Sequence, residues 1–151
     1  MIVDDWLYAY ACYGEGITWD CRLARVTLED ALDRNAWRFF AGGETWSRDW
    51  REATGLRLWA RPAASVYWNE HLGRYVATYD RVFDNRIRFQ VADRPEGPWS
   101  NVVLEVEGQS ENWIGAGLSH PELAKENGRV QYLTYKAGRR NDIHLVEVTF
   151  R

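Results

Sequence analysis

The chain is poor in the residues that build dedicated reaction centres. Its two cysteines, Cys12 and Cys21, and its three histidines, His71, His120 and His144, form no CxxC pair and no cluster with ligand spacing, so no metal site is expected. Phosphate loops, glycine-rich dinucleotide motifs and a serine nucleophile elbow are absent as well, and no cofactor is implied by any of them. No apolar run approaches the roughly 20 residues of a membrane span. The start, Met1 to Asp5, lacks the basic and apolar regions of a secretory leader, which makes a cytoplasmic location the default expectation. Charge of one sign is missing too: 19 Lys and Arg stand against 22 Asp and Glu, for a net −3. That balance argues against nucleic acid, which would want a basic stripe, and against a polybasic membrane surface.

What is abundant is aromatic. Nine tryptophans and eight tyrosines occur in 151 residues. Packing between β-sheets accounts for many of them, whereas an indole exposed on a loop offers a flat face on which the C–H side of a sugar can stack.

The stretch from Ser65 to Ser100 organises the rest. Ser65 to Trp68 reads as a strand closed by the turn Asn69 to Gly73. Arg74 to Asp80 alternates Tyr75, Ala77 and Tyr79 against Val76 and Thr78. Arg86 to Val91 alternates Ile87, Phe89 and Val91 against Arg86, Arg88 and Gln90, and this period of two predicts strands with two distinct faces. Arg94 to Pro98 stops the run, and Asn101 to Val106 makes a fourth strand. Gly97 re-aims the chain there, which directs Trp99 into a packed, structural position. The same unit recurs: Tyr13, Tyr79 and Tyr135 each stand eight residues before Cys21, Ile87 and Ile143, which open the next strand. The tyrosines recur at intervals of 66 and 56 residues, and repeats of that length indicate propeller blades, with the differences absorbed by loops.

Other strands are expected at Trp6 to Tyr13, Cys21 to Thr27, Ala36 to Ala41, Leu118 to Glu122, Val130 to Lys136 and Asp142 to Phe150. Thr27 to Asp30 resembles a capping box and predicts one or two helical turns. Gly42 to Pro62 shows no clear period and reads as a long irregular connection. A hairpin turning through residues 14 to 19 sets Cys12 opposite Cys21. That leaves a disulfide open, with two buried thiols the expectation for a chain without a leader.

The turn with Asn69 and Gly73, the RYVATYD strand and the GPW that follows the third strand resemble blades of arabinanase-like and invertase-like five-bladed propeller hydrolases. With Asp20 to Gly42 and Ser119 to Leu123, the chain is similar to an uncharacterised bacterial domain family of that propeller type. The resemblance implies an all-β, propeller-like array of about three four-stranded antiparallel blades in one domain, about residues 1–42, 63–107 and 115–151. It further implies a glycan-handling protein related to glycoside hydrolases, with saccharide bound at the axial end of the ring. In such an array the second-to-third-strand loops and the connections between blades share that end, which carries the carboxylates Glu15, Asp20, Asp80, Asp84 and Glu111.

Glycoside hydrolysis needs two carboxyl groups, and Asp80 and Glu111 are the candidate catalytic pair. In the resembled hydrolases the acids sit on inner strands, whereas SVYWN here has none. Trp46, Arg61, Trp113 and His120 are the candidate saccharide contacts. His120 would stand beside a central channel able to hold water or a calcium ion. Two alternatives are a non-catalytic lectin-like or protein-interaction propeller module, and an inactive piece of a larger enzyme. Three sheets cannot close a ring, so the expected assembly is a homodimer that completes one.

Overall fold

The computed structural model of the chain describes residues 1–15, 18–61, 64–109, 113–138 and 142–151. It is an all-β chain of three antiparallel sheets in sequence order, with five, four and three strands. The first sheet comprises β1 (Ile2–Val3), β2 (Trp6–Glu15), β3 (Thr18–Thr27), β4 (Arg38–Gly42) and β5 (Thr45–Ser47). The second holds β6 (Ala64–Asn69), β7 (Arg74–Asp80), β8 (Arg86–Ala92) and β9 (Leu104–Glu107), and the third β10 (Ile114–Ser119), β11 (Val130–Ala137) and β12 (Asp142–Thr149). Within each sheet the strands pair in chain order, as in a meander, and no sheet closes on itself. Helix is limited, among the described residues, to three single 3₁₀ turns. None of these is long and apolar enough to cross a membrane.

The middle sheet has no wet face, and its sequence says why. Tyr75, Ala77 and Tyr79 of β7, with Ala92 and Trp99, pack on Tyr8, Cys21, Leu23 and Phe40 of the first sheet. The alternate residues Val76, Ile87 and Phe89 pack instead on Ile114, Leu133, Tyr135 and Val148 of the third. Successive side chains of a strand point to opposite faces, so the period-two pattern feeds two separate cores. The polar members of β8 are accommodated by pairing: Gln90 accepts a hydrogen bond from the buried Tyr79 hydroxyl and donates to the Ser100 carbonyl. The 69–73 turn is pinned across sheets, since Asn69, 1% exposed, accepts from the Leu72 N–H at 2.9 Å and donates to the Gly128 carbonyl at 2.8 Å.

Several expectations are corrected. Thr27 and Asp30 do hydrogen-bond each other, at 2.9 Å, but the segment after them is a series of turns. Leu32 is fully exposed and Leu28 nearly half so, and a short helix without an apolar face to bury is not stable. The first sheet has five strands, because the short β1 precedes and the short β5 follows the three expected there, while the third has the three that its pattern marks out. The inner strand of the third sheet begins at Ile114, not Leu118. Cys12 and Cys21 are opposite each other as the hairpin register requires, yet they form a disulfide rather than two thiols. The residues expected to be an irregular cover, from Ala53 to Ala60, bury Ala53, Leu56, Leu58 and Ala60 in the first core.

Trp99 is 8% exposed and belongs to that same core. Gly97, at φ 92°, turns the chain into it, and a Cβ there would stand 2.7 Å from the Trp99 nitrogen. Replacing Trp99 with Ala should cost about 3–5 kcal/mol through the cavity left behind, or roughly 6–20 °C in Tm for a domain of this size. Thermal denaturation measures it, and a variant melting within a degree or two of wild type would contradict the buried role.

Candidate functional site

The end of the stack where the β7–β8 hairpin turns is assembled around Asp80, the last residue of β7. Its carboxylate is 0% exposed. Oδ1 accepts the Gly117 N–H of β10 at 2.9 Å, and Oδ2 lies 3.5 Å from Nη1 of Arg61, whose own N–H reaches the Asp80 carbonyl at 3.3 Å. Arg61 ends an extended run in which Leu56, Leu58 and Ala60 turn inward. That run is fixed to β3 by Leu56 N–H to Cys21 C=O at 2.9 Å and Cys21 N–H to Leu58 C=O at 3.1 Å. From Arg61 the guanidinium carbon stands 5.8 Å from the ring centre of Trp113, which is 52% exposed. β10 packs tightly here at Gly117, where a Cβ would sit 3.2 Å from Ile87 Cγ1, whereas a Cβ on Gly115 would meet Arg61 Nη1 at 3.5 Å, an ordinary contact. Ala116, between them, is left-handed at φ 54° within a break in the β10–β11 register. The connection into β10 is bonded to the hairpin by Gly108 N–H to Asn85 C=O at 2.7 Å and Ile114 N–H to Asp84 C=O at 3.0 Å.

Burial raises the Asp80 carboxyl above the ordinary value of 3.8, against the Gly117 N–H and the Arg61 charge, which pull it down. Desolvation wins because the carboxylate is sealed while its partner guanidinium remains 30% exposed and reaches it with one long contact. Asp84 goes the other way. Burial pushes it up as well, but the Arg88 guanidinium at 2.5 Å outweighs this and holds it below its usual range. Arg88 of β8 also binds Glu105 of β9 at 2.8 Å, so Asp84 is committed to a structural ion-pair network that ties the hairpin turn to these two strands. Asp20 is raised by desolvation, with N–H groups of Cys21, Leu58 and Arg57 opposing.

Of the expected contacts, Asp80, Arg61 and Trp113 form one group. Glu111 lies outside the described residues. Trp46 stands on β5 rather than in a connection, and its ring is occupied by Phe40 at 5.4 Å, Tyr8 at 6.3 Å and the Arg25 guanidinium at 3.9 Å. His120 is one residue past β10, its ring nitrogens 3.0 Å from Glu122 and 2.8 Å from Thr134. Among the described residues no three His, Cys, Asp or Glu side chains gather where they could hold a metal ion. Sequence reasoning missed Arg57 and Trp59, which share the outward side of the run with Arg61. The signal was the alternation of Leu56, Leu58 and Ala60, interrupted only by the bulge at Arg57, whose φ is 61°.

Fold and site together define a class: a stack of antiparallel sheets presenting an indole and an anchored guanidinium on its hairpin end. The chain belongs to the family described as Domain of unknown function (DUF4185), whose model matches residues 1–142. No curated protein matches it.

Because the folded value of Asp80 is raised, the native state keeps a proton that the unfolded chain has released. The stability this contributes is complete below pH 3.8 and is lost as pH rises through the folded value. Asp80→Asn keeps an acceptor for Gly117 and removes the titration. The Tm of wild type minus that of the variant should therefore shift in favour of wild type between about pH 7 and about pH 4.5. A difference that is flat, or moves the other way, would refute the raised carboxyl.

Proposed function

We propose that the chain binds saccharide on its hairpin end, as a non-catalytic, lectin-like module of propeller type. The observation that carries this reading is the pairing of an exposed indole, Trp113, with the Arg61 guanidinium, which the buried Asp80 holds in place. An indole face stacks on the apolar side of a sugar ring while a guanidinium fork donates to adjacent hydroxyls. Cleavage requires two carboxyl groups that reach the glycosidic bond. Asp80 is closed off from solvent and spent on Arg61 and Gly117, which favours binding over hydrolysis. Tryptophan fluorescence titrated with oligosaccharides should respond in wild type and weaken by about tenfold in Trp113→Ala, a loss of about 1.4 kcal/mol. An unchanged response in the variant would place binding elsewhere.

We also propose that a second copy covers the two ends of the stack, in the manner of a ring completed by two arcs. Tyr79 and Tyr135 face the preceding sheet and are 0% and 1% exposed, whereas Tyr13, with no sheet before it, is 46% exposed. Ile87 and Phe89 face the following sheet and are fully buried, while Ile143 and Leu145 on the corresponding strand are 73% and 62% exposed. One copy's exposed face is thus the kind of surface that the other's lacks, and a two-fold arrangement satisfies both contacts. Sedimentation at micromolar concentration should return about twice the 17.7 kDa chain mass; a well-folded monomer would contradict it.

A further inference from the structure

The groove between the first and second sheets holds a charge with no carboxylate partner among the described residues. Arg57 is bulged out between the two residues that bond Cys21, in a left-handed conformation that an L side chain adopts only at a cost. Its side chain is exposed and, unlike Arg61, Arg86 or Arg88, has no carboxylate partner among the described residues. Two cavities flank it and share Gly55, Arg57 and Trp99 in their walls. One, of about 390 Å³, extends toward Phe40, Arg94 and Glu96, and the other, of about 640 Å³, toward Asp20, Trp59 and Asn101. Asp20 in the same wall is turned to the backbone instead: its Oδ1 accepts the Cys21 N–H at 2.8 Å, its carboxylate is also bonded by the Leu58 and Arg57 N–H groups, and its Oδ2 is packed where a Cβ on Gly55 would sit, 2.0 Å away. On the other side Arg94 is only loosely paired with Glu96, at 3.7 Å. Trp59, two residues along the same outward side, is 42% exposed, and Arg61 follows two residues later. Arg57, Trp59, Arg61 and Trp113 thus make an alternating series of guanidinium and indole groups from the groove to the hairpin end.

We propose that this groove selects an acidic oligosaccharide, in which a sugar ring stacks on Trp59 and a uronate-type carboxylate pairs with Arg57. The inference rests on the saccharide reading above and adds the ligand's charge. A guanidinium fork matches a carboxylate in a bidentate way that a neutral hydroxyl does not reproduce.

Calorimetric titration with an oligogalacturonate and with a neutral galacto-oligosaccharide of equal length tests it. The acidic ligand should bind at least about tenfold more tightly at low salt, with the preference shrinking as salt is added. Arg57→Gln should abolish the preference, weakening the acidic ligand by at least about tenfold more than the neutral one. Arg57→Gly suits the left-handed backbone, so it should melt no lower than wild type and still lose the preference, which separates a ligand contact from a structural role. Equal binding of the two sugars, or a preference that survives both substitutions, overturns acidic selection while leaving the saccharide reading intact. Binding of neither sugar overturns both.

Discussion

A carboxylate with no exposure to water is expensive to keep, and much of this molecule can be read as the arrangement that keeps Asp80 in place. Three segments far apart in sequence meet at its two oxygens and its carbonyl: β7 itself, the extended run ending at Arg61, and β10 through the Gly117 N–H. Gly117 follows from this, since a Cβ there would crowd Ile87 Cγ1 at 3.2 Å beside the N–H that Asp80 accepts. So does the orientation of Arg61, which would otherwise be one more mobile surface cation. The anchoring group and the displayed group are thus different residues. Asp80 orders the surface, and Arg61 and Trp113 are the groups displayed on it.

The second constraint is the middle sheet. With both faces buried, its alternation has to satisfy two cores at once, and the polar residues of β8 must be paired inside rather than solvated. Arg88, 6% exposed, does so through Asp84 and Glu105, and Gln90 through Tyr79 and Ser100. The outer sheets face the same requirement on one side only. Their remaining faces carry side chains of the kind that the middle sheet buries, which ties the internal repeat to the question of assembly.

Much of this was legible in the sequence. The alternation in β7 and β8 identified both faces correctly, and the hairpin spacing put Cys12 opposite Cys21, although the bond between them was not foreseen because redox state depends on surroundings that the spacing does not encode. The grouping of Asp80 with Arg61 and Trp113 came from placing all three at one end of an antiparallel array. Less was legible where tertiary contacts overrode local signals. Ile114-Gly-Ala-Gly has little strand propensity and becomes β10 through tertiary contacts, its pairing with β11 and the Gly117 N–H bond to Asp80. Leu56, Leu58 and Ala60 were overlooked because they pair with β3 through a bulge rather than a regular ladder. Trp46 was read as a loop indole, since a three-residue strand such as β5 carries too short a pattern to detect.

The central claim is that the indole–guanidinium surface on the hairpin end, and not the buried aromatic core, meets the ligand. Its most direct test is the set of nine tryptophan indole N–H resonances followed by NMR during titration with an oligosaccharide. The account predicts that Trp113 shifts in a saturable way, together with Trp59 and Trp99 where the ligand extends toward Arg57, while Trp46 stays in place. Saturable shifts confined to Trp46, or none at Trp113, would contradict it.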